Sequence, residues 1–209
     1  MASALDRLLA QALESMIREK LGRKTCEKIQ DRLHHRYNLS LAESIKDFYA
    51  LDATLREFFA SGADAIEEDF ANRLISINAP ATRRPWITIE NRELAELIAG
   101  AYGDKEKRLI LEVALRQPLV IPNMLEILGI PKSSGYRLIN KLVEDGLLTE
   151  HGYSEGSDGK KVSKYTALFE RVKMELDKKG LIVQVLLKEN ILNKSQIIRV
   201  LLRGKLGVA

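Results

Sequence analysis

Apolar residues recur every three to four positions over most of the first 75 residues, and this spacing predicts helices. The first apolar stripe runs from Leu5 to Leu21 and stops before Gly22. The later stripes predict about four more short helices, which makes about five between residues 3 and 75. Because each stripe needs cover, residues 1–75 are expected to form an N-terminal helical domain.

Two residue pairs predict where helices in this domain begin. Ser40 and Glu43 have the spacing of a capping box, in which each side chain satisfies a backbone N–H of the other residue. A helix is therefore expected from about Leu41. Asp64 and Glu67 have the same spacing and predict a second, acidic cap.

The helical period is lost between Ser76 and Glu90, where two prolines and an arginine pair accompany the only tryptophan, Trp86. We predict a linker at residues 76–90. Trp86 is expected to anchor this linker onto a neighbouring domain, with contact to a ligand as the alternative.

Helical spacing returns at Asn91 and predicts four helices, of which the third is short. Pro122 suits the first turn of the third of these helices, and Gly129 suits the left-handed residue that closes it. The fourth helix is expected from Pro131 to Asp145.

Apolar and polar residues then alternate, which predicts strands. Residues 147–153 and 162–168 flank a segment rich in Gly, Ser and Lys and form a first hairpin with a long tip. Residues 172–176 and 181–187 form a second hairpin, and a last helix is capped by Asn193 or Ser195. The predicted fold is mainly α with a small antiparallel β component, in which residues 91–168 form one domain and residues 169–209 an appended hairpin and helix.

Charge permits a polyanionic partner without requiring one. The 209 residues have a formal net charge of +4, and residues 1–75 contain 11 Lys and Arg against 13 Asp and Glu. The positive excess therefore lies after residue 75, where any anion binding is expected.

Several classes of protein lack support in the sequence. The one cysteine, Cys26, excludes an internal disulfide framework, and the absence of a signal peptide and of a long apolar run indicates a cytoplasmic protein without a membrane span. No nucleotide-binding loop, zinc motif or nucleophile elbow is present, so we expect no enzyme and no cofactor. Cys26, His34 and His35 share one predicted helix and are expected to be ordinary helix residues, with a metal or redox sensor as the alternative.

Three helices, with a tight turn between the second and the third, followed by a two-stranded hairpin, are typical of a helix-turn-helix with a wing. The turn is Leu128-Gly129-Ile130-Pro131, and the third helix begins Lys132-Ser-Ser-Gly-Tyr-Arg-Leu and ends Leu142-Val-Glu-Asp-Gly-Leu-Leu. Through these residues the segment from about 92 to 168 resembles winged-helix transcriptional regulators of the IclR, MarR and ArsR type. The resemblance implies that the third helix enters the major groove of DNA while the wing lies along the backbone or the minor groove.

The exposed face of this helix has side chains suited to double-stranded DNA. Candidate contacts to phosphates or base edges are Lys132, Ser133, Ser134, Tyr136, Arg137, Asn140 and Lys141. The wing adds Lys160, Lys161 and Lys164 for phosphates, although lysines on a loop are more often solvated surface. Gly135 is unusual inside a helix and has two interpretations, close approach of its backbone to DNA or tight packing inside the protein.

These features together predict a sequence-specific transcriptional regulator that binds double-stranded DNA as a homodimer. Helix Leu5 to Leu21 and helix Ser195 to Leu202 are candidates for the dimer interface, and both could equally belong to the internal core. An alternative function is protein–protein interaction with the winged helix as a scaffold. A weaker hypothesis assigns small-ligand sensing to the N-terminal phenylalanines, Phe48, Phe58, Phe59 and Phe70.

Overall fold

A computed structural model describes residues 4–46, 48–78, 86–155, 159–178, 180–188, 191, 195 and 197–198 of the chain. Within these residues lie nine helices: α1 (Ala4–Leu21), α2 (Arg23–Tyr37), α3 (Leu41–Lys46), α4 (Phe48–Phe59), α5 (Gly62–Leu74), α6 (Arg92–Gly103), α7 (Lys105–Arg116), α8 (Ile121–Leu128) and α9 (Lys132–Glu144). The same residues contain seven strands: β1 (Ile75–Asn78), β2 (Trp86–Ile89), β3 (Leu119–Val120), β4 (Leu148–Glu155), β5 (Lys161–Ala167), β6 (Phe169–Asp177) and β7 (Gly180–Leu187). All described strand pairs are antiparallel, so the mainly α fold with a smaller antiparallel β component is confirmed.

Helix α1 lies at the centre of the N-terminal core. Its apolar stripe is buried along its whole length, from Leu5 and Leu8 to Leu13 and Ile17. The helix packs against α2, α3 and α5 and also against α6, which belongs to the second half of the chain. Of the two interpretations of this helix, internal core is therefore correct and the dimer interface is wrong, because the stripe is already covered within one chain.

The end of the chain is tied to α1 through a buried carboxylate. Asp6 Oδ1 accepts a hydrogen bond from Ser195 Oγ at 2.6 Å and another from the backbone N–H of Ile197 at 3.4 Å. Ser195, Ile197 and Ile198 are buried, while the rest of the predicted helix from Ser195 to Leu202 lies outside the described residues. Asp6 thus holds the start of the C-terminal segment against the first helix of the chain.

The capping box that begins α3 is confirmed. Glu43 N–H donates to Ser40 Oγ at 3.3 Å, and Ser40 N–H donates to Glu43 Oε2 at 2.8 Å. The acidic cap predicted at Asp64 and Glu67 is wrong, because α5 already begins at Gly62. Asp64 instead pairs with Arg56 of α4, and Glu67 is buried between the two helices.

The predicted linker at residues 76–90 is wrong at both ends, because strand β1 continues to Asn78 and strand β2 begins at Trp86. The two strands pair with each other, and β2 also pairs with β7. Trp86 lies in β2 opposite Leu186 of β7 and is half-buried. The centre of the predicted linker, residues 79–85, lies outside the described residues.

The predicted hairpin of β6 and β7 belongs to this same four-stranded sheet, whose order is β1-β2-β7-β6. One face of the sheet is apolar and has Ile87, Ile89, Val183 and Val185 buried at its centre. Helix α6 covers this face by packing on β2 and β7. Strand β6 forms one edge of the sheet.

The remaining elements form a second unit around a small sheet. In chain order they are helix α7, strand β3, helices α8 and α9, and the hairpin of β4 and β5. Strand β5 is central in the order β3-β5-β4, and it packs against α7. The first hairpin predicted from the sequence is therefore present and gains a third, two-residue strand.

No helix within the described ranges combines the length and the apolar character that crossing a lipid bilayer requires.

Candidate nucleic-acid interface

The tight turn between α8 and α9 is formed by residues whose backbone preferences suit it. Pro122 lies in the first turn of α8, and Gly129 closes that helix with a left-handed φ of 64°. Ile130 is buried and its N–H donates to the carbonyl of Leu125 at 3.1 Å, after which Pro131 caps α9. The turn therefore fixes α9 against α8 at a short distance.

Gly135 faces the inside of the protein at this contact. A β-carbon built at Gly135 would lie 2.8 Å from Cδ1 of Leu125 and 3.0 Å from its Cγ, which is closer than such atoms approach. Gly135 itself is buried. Of its two interpretations, close packing is therefore correct, and approach of its backbone to DNA is wrong because α8 covers this side of the helix.

Helix α9 has one buried and one exposed face. Leu138, Ile139 and Leu142 are buried together with Gly135. The exposed side chains are those of Lys132, Ser133, Tyr136, Arg137, Asn140 and Lys141. Ser134 is half-buried, and its hydroxyl donates to the carbonyl of Pro131 at 3.1 Å, so it stabilises the start of the helix. Six of the seven candidate residues on α9 thus share one solvent-facing surface.

Arg137, Asn140 and Lys141 line an open depression of about 560 Å³ together with Lys107 of α7. Glu144 is the acidic member of this lining. Lys107 was not among the residues predicted from the sequence. It follows three residues after Asp104, which caps α7, and its place in the basic run from Lys105 to Arg108 is the signal that could have indicated it.

Lys141 is held by an ion pair at the end of α9. Its Nζ lies 2.9 Å from Oδ1 of Asp145, whose own side chain is largely buried. This hydrogen bond and the charge of Asp145 raise the pKa of Lys141, so its ammonium group stays protonated. The backbone carbonyl of Asp145 in turn accepts a hydrogen bond from Gln11 of α1 at 3.0 Å.

Arg137 makes no ion pair with any described residue. Its guanidinium group is exposed in the middle of the helix and has five N–H donors in a fixed plane. Arg137 and Lys132, unlike Lys141, can therefore turn to an incoming ligand without breaking a described ion pair, and Arg137 offers the larger number of donors.

The lysines of the β4–β5 hairpin do not form one cluster. Lys161 and Lys164 both lie in β5, and because side chains alternate along a strand they point to opposite faces of the hairpin. Lys160 is exposed just before the strand. The hairpin tip is also shorter than the predicted segment 152–161, since β4 continues to Glu155 and β5 begins at Lys161, with residues 156–158 outside the described part.

The net charge of this part of the chain is balanced. Residues 91–168 contain 11 Lys and Arg and 11 Asp and Glu, whereas residues 169–209 contain nine and four. The basic character of the exposed α9 face is thus a local arrangement, and the positive excess of the second half lies mostly after residue 168.

The other residues singled out from the sequence do not form a site. Cys26 is buried and its thiol donates to the carbonyl of Ile17, while His34 and His35 are exposed on α2. In the described part of the chain no three His, Cys, Asp or Glu side chains converge as metal ligands would.

Two of the N-terminal phenylalanines, Phe48 and Phe70, line a cavity of about 10 Å³ together with Glu67 and leucines of the core. This volume accommodates about one water molecule, which is too small for a metabolite. Phe58 and Phe59 lie at the end of α4 with their ring centroids 6.4 Å apart.

Comparisons of the chain with family models, with curated proteins and with solved structures find no match to any of them.

Proposed function

We propose that this protein binds double-stranded DNA through a winged helix-turn-helix formed by α7 to β5 and that it regulates transcription. The observation that supports this most directly is the geometry of α9. One face of the helix is buried against α8, the opposite face has Arg137, Asn140 and Lys141 exposed, and strand β4 of the hairpin packs against the same helix. Recognition in the major groove requires a helix with one face packed on the protein and an exposed face of polar and charged side chains.

The exposed residues divide into two chemical groups. Arg137 and Asn140 are one turn apart on the same face, and their planar side chains can make paired hydrogen bonds to guanine and adenine respectively. Lys132 and Ser133 of α9, together with the half-buried Lys107 of α7, flank this pair and are suited to contact phosphate oxygens, which set the register of the helix without reading sequence.

Only one face of the β4–β5 hairpin can contribute lysines to DNA binding. Because Lys161 and Lys164 lie on opposite faces of β5, only one of the two can face a duplex that contacts α9. We expect Lys161, which is the more exposed, to contact phosphate, and Lys164 to contribute less.

The test is the affinity for duplex DNA of random sequence over a series of salt concentrations. Wild type is compared with the double variant Arg137→Ala, Lys141→Ala. We expect wild-type affinity to fall steeply as salt rises, because bound cations displace counterions from the phosphates. The double variant should bind more weakly, and its dependence on salt should be shallower.

A matched control loses the same charge elsewhere. Arg23 and Lys24 are exposed on α2, and the double variant Arg23→Ala, Lys24→Ala should retain both wild-type affinity and wild-type salt dependence. Equal weakening of the two double variants would show that only total charge matters, and it would refute a binding surface on α9.

A second candidate is a protein-interaction module, and the balanced charge of residues 91–168 favours it. Two large apolar side chains near the helix pair are also exposed, Ile127 of α8 by 58% and Leu115 of α7 by 40%. Absence of wild-type binding to duplex DNA even at low salt would reject the first candidate in favour of this one.

A further inference from the structure

Strand β6 is an edge strand, and within the described part of the chain no strand pairs with its outer side. Its register with β7 places Val172, Met174 and Leu176 on the apolar face of the sheet. Toward the β6–β7 turn the side chains on this face become exposed to solvent, since Met174 is 36% exposed and Leu176 82% exposed. The unpaired backbone N–H and C=O groups of an edge strand, here beside exposed apolar side chains, are a template for pairing with a strand of another chain.

The charges of β6 are arranged in opposite pairs about Met174. The pairs found on moving outward from Met174 are Lys173 with Glu175, Val172 with Leu176, Arg171 with Asp177, and Glu170 with Lys178. Every charged residue therefore has its opposite at the same distance on the other side, and the one uncharged pair is apolar on both sides.

We propose that β6 pairs with β6 of a second copy of this chain, antiparallel, on a two-fold axis that passes between the two Met174 residues. In this register Lys173 faces Glu175 of the partner subunit, and Arg171 faces Asp177 of the partner subunit. Residues directly opposite in an antiparallel pair share a face, so Leu176 contacts Val172 of the partner subunit on the apolar side.

The charge pattern selects this register over its neighbours. A shift by two residues in one direction places Lys173 opposite itself across the axis, and a shift in the other direction places Glu175 opposite itself. Like charges directly opposite destabilise a strand pair. From Arg171 to Asp177, only the register centred on Met174 gives each charged residue a partner of opposite sign.

The existing contacts of these side chains are compatible with the pairing. Lys173 Nζ lies 2.8 Å from Glu175 of the same strand, with both side chains about half exposed. Asp177 accepts a hydrogen bond from the N–H of Gly180 in the hairpin turn. Exposed ion pairs of the first kind contribute little, so exchange of partners across the axis has a small cost.

A dimer of this kind joins two four-stranded sheets into one of eight strands. The inference does not depend on DNA binding, although a two-fold axis is what a palindromic DNA site would require. Its test is therefore made without DNA.

The experiment measures the association of the full chain by sedimentation equilibrium at micromolar concentrations. Wild type should be dimeric. Lys173→Glu and Glu175→Lys should each weaken association about tenfold or more, because each creates two like-charge contacts across the axis. The double variant with both changes restores opposite charges and should again be dimeric.

An equimolar mixture of the two single variants gives the sharpest readout. In the mixed dimer every Glu at these positions faces a Lys, so the mixture should associate as tightly as wild type. Arg92→Glu, a charge reversal at an exposed residue of α6, should leave association unchanged. A monomeric wild type, or single variants that associate as wild type does, would overturn the proposal.

Discussion

Gly135 shows how the absence of one β-carbon sets the distance between two helices. Helix α8 approaches α9 so closely that the side chain of Leu125 occupies the space where a side chain at Gly135 would begin. The sequence indicated only that a glycine interrupts a helix. Which neighbour it faces depends on the turn at Gly129 and on the packing of α8, and neither follows from local pattern.

Gly135→Ala should destabilise the protein. Alanine gains about 1 kcal/mol in helix propensity, but forcing a methyl group against buried Leu125 costs about 1–3 kcal/mol. Gly100→Ala is the matched control, because Gly100 also lies inside a helix and a β-carbon there would contact nothing within 4 Å. Urea unfolding should show Gly100→Ala to be stabilising and Gly135→Ala not, and equal stabilisation by both would contradict the close contact.

Glu67 is a buried acid whose ionisation opposes folding. It is 3% exposed, and its Oε1 has no hydrogen-bond partner among the described residues. Burial raises the pKa of Glu67 to about 8, assisted by a hydrogen bond with Asp52 and by the negative charges of Asp52 and Asp64, while Arg56 acts in the opposite direction. The folded protein therefore holds a proton at Glu67 that the unfolded chain has already lost.

The difference between the folded and unfolded pKa of Glu67 determines whether stability rises or falls with pH. Between the unfolded pKa, near 4.5, and the folded pKa of about 8, the folded state binds more protons, so this group's contribution to stability falls as pH rises. Glu67→Gln removes the titration, and its stability relative to wild type should increase from pH 5 to pH 9 in urea unfolding. Glu68→Gln, at an exposed neighbour on the same helix, should show no such trend.

At the scale of whole elements, the contact between α1 and the end of α9 joins the two halves of the chain. Gly146 has a φ of +76°, and a β-carbon there would lie 2.6 Å from the carbonyl oxygen of Ala4 and 2.8 Å from the backbone nitrogen of Leu8. The backbone of α1 therefore packs directly against Gly146, two residues after the end of α9. The hydrogen bond from Gln11 to Asp145 lies at the same contact.

Gly146→Ala should be more destabilising than Gly152→Ala. Both glycines have left-handed φ angles near +75°, so both variants should lose about 1–2 kcal/mol from backbone strain. Only Gly146 also meets a neighbouring backbone, which should add about 2 kcal/mol or more. Equal losses of unfolding free energy in the two variants would show that α1 does not rest on Gly146.

Helices were predictable from the sequence where periodicity and caps agree, as at Ser40 with Glu43 and at Gly129. The pairing of β1 and β2 was missed because each strand has four residues and β2 is joined to β7 across nearly 100 residues. The alternation Ile-Ser-Ile-Asn at residues 75–78 and Trp-Ile-Thr-Ile at residues 86–89 was the available signal. The prolines between them made a linker the simpler interpretation.

At the scale of the whole molecule, the positive charge is distributed unevenly, which the composition alone does not show. The net charge of +4 suggested a basic second half, yet residues 91–168 are balanced and most of the positive excess lies after residue 168. Within residues 91–168, the exposed face of α9 brings Lys132, Arg137 and Lys141 onto one surface. Most of the candidate residues of this face were predictable, because the period of the helix separates Arg137 and Asn140 from buried Leu138 and Ile139. The basic run from Lys105 to Arg108 was a sequence signal for Lys107, but its place beside α9 follows only from the folded chain.

The proposed dimer also belongs to this scale. The sequence suggested pairing through the apolar helices of the two chain ends, but the structure buries α1 within one chain and leaves the edge of β6 with exposed Leu176. The sedimentation experiment with Lys173→Glu, Glu175→Lys and their mixture decides whether this edge pairs.

The most direct test of the proposed DNA-binding surface labels an introduced cysteine, because the single natural cysteine of the chain is buried. Cys26 is 2% exposed, so a thiol introduced by Asn140→Cys on the exposed face of α9 is the one that an alkylating reagent reaches quickly. Lys28→Cys, on the exposed side of α2, provides the control. Saturating duplex DNA at low salt should slow alkylation of the Asn140→Cys variant about tenfold or more, because a helix in the major groove is closed to reagent. It should leave the Lys28→Cys variant unaffected, whereas equal rates with and without DNA at both positions would contradict the proposal that α9 enters DNA.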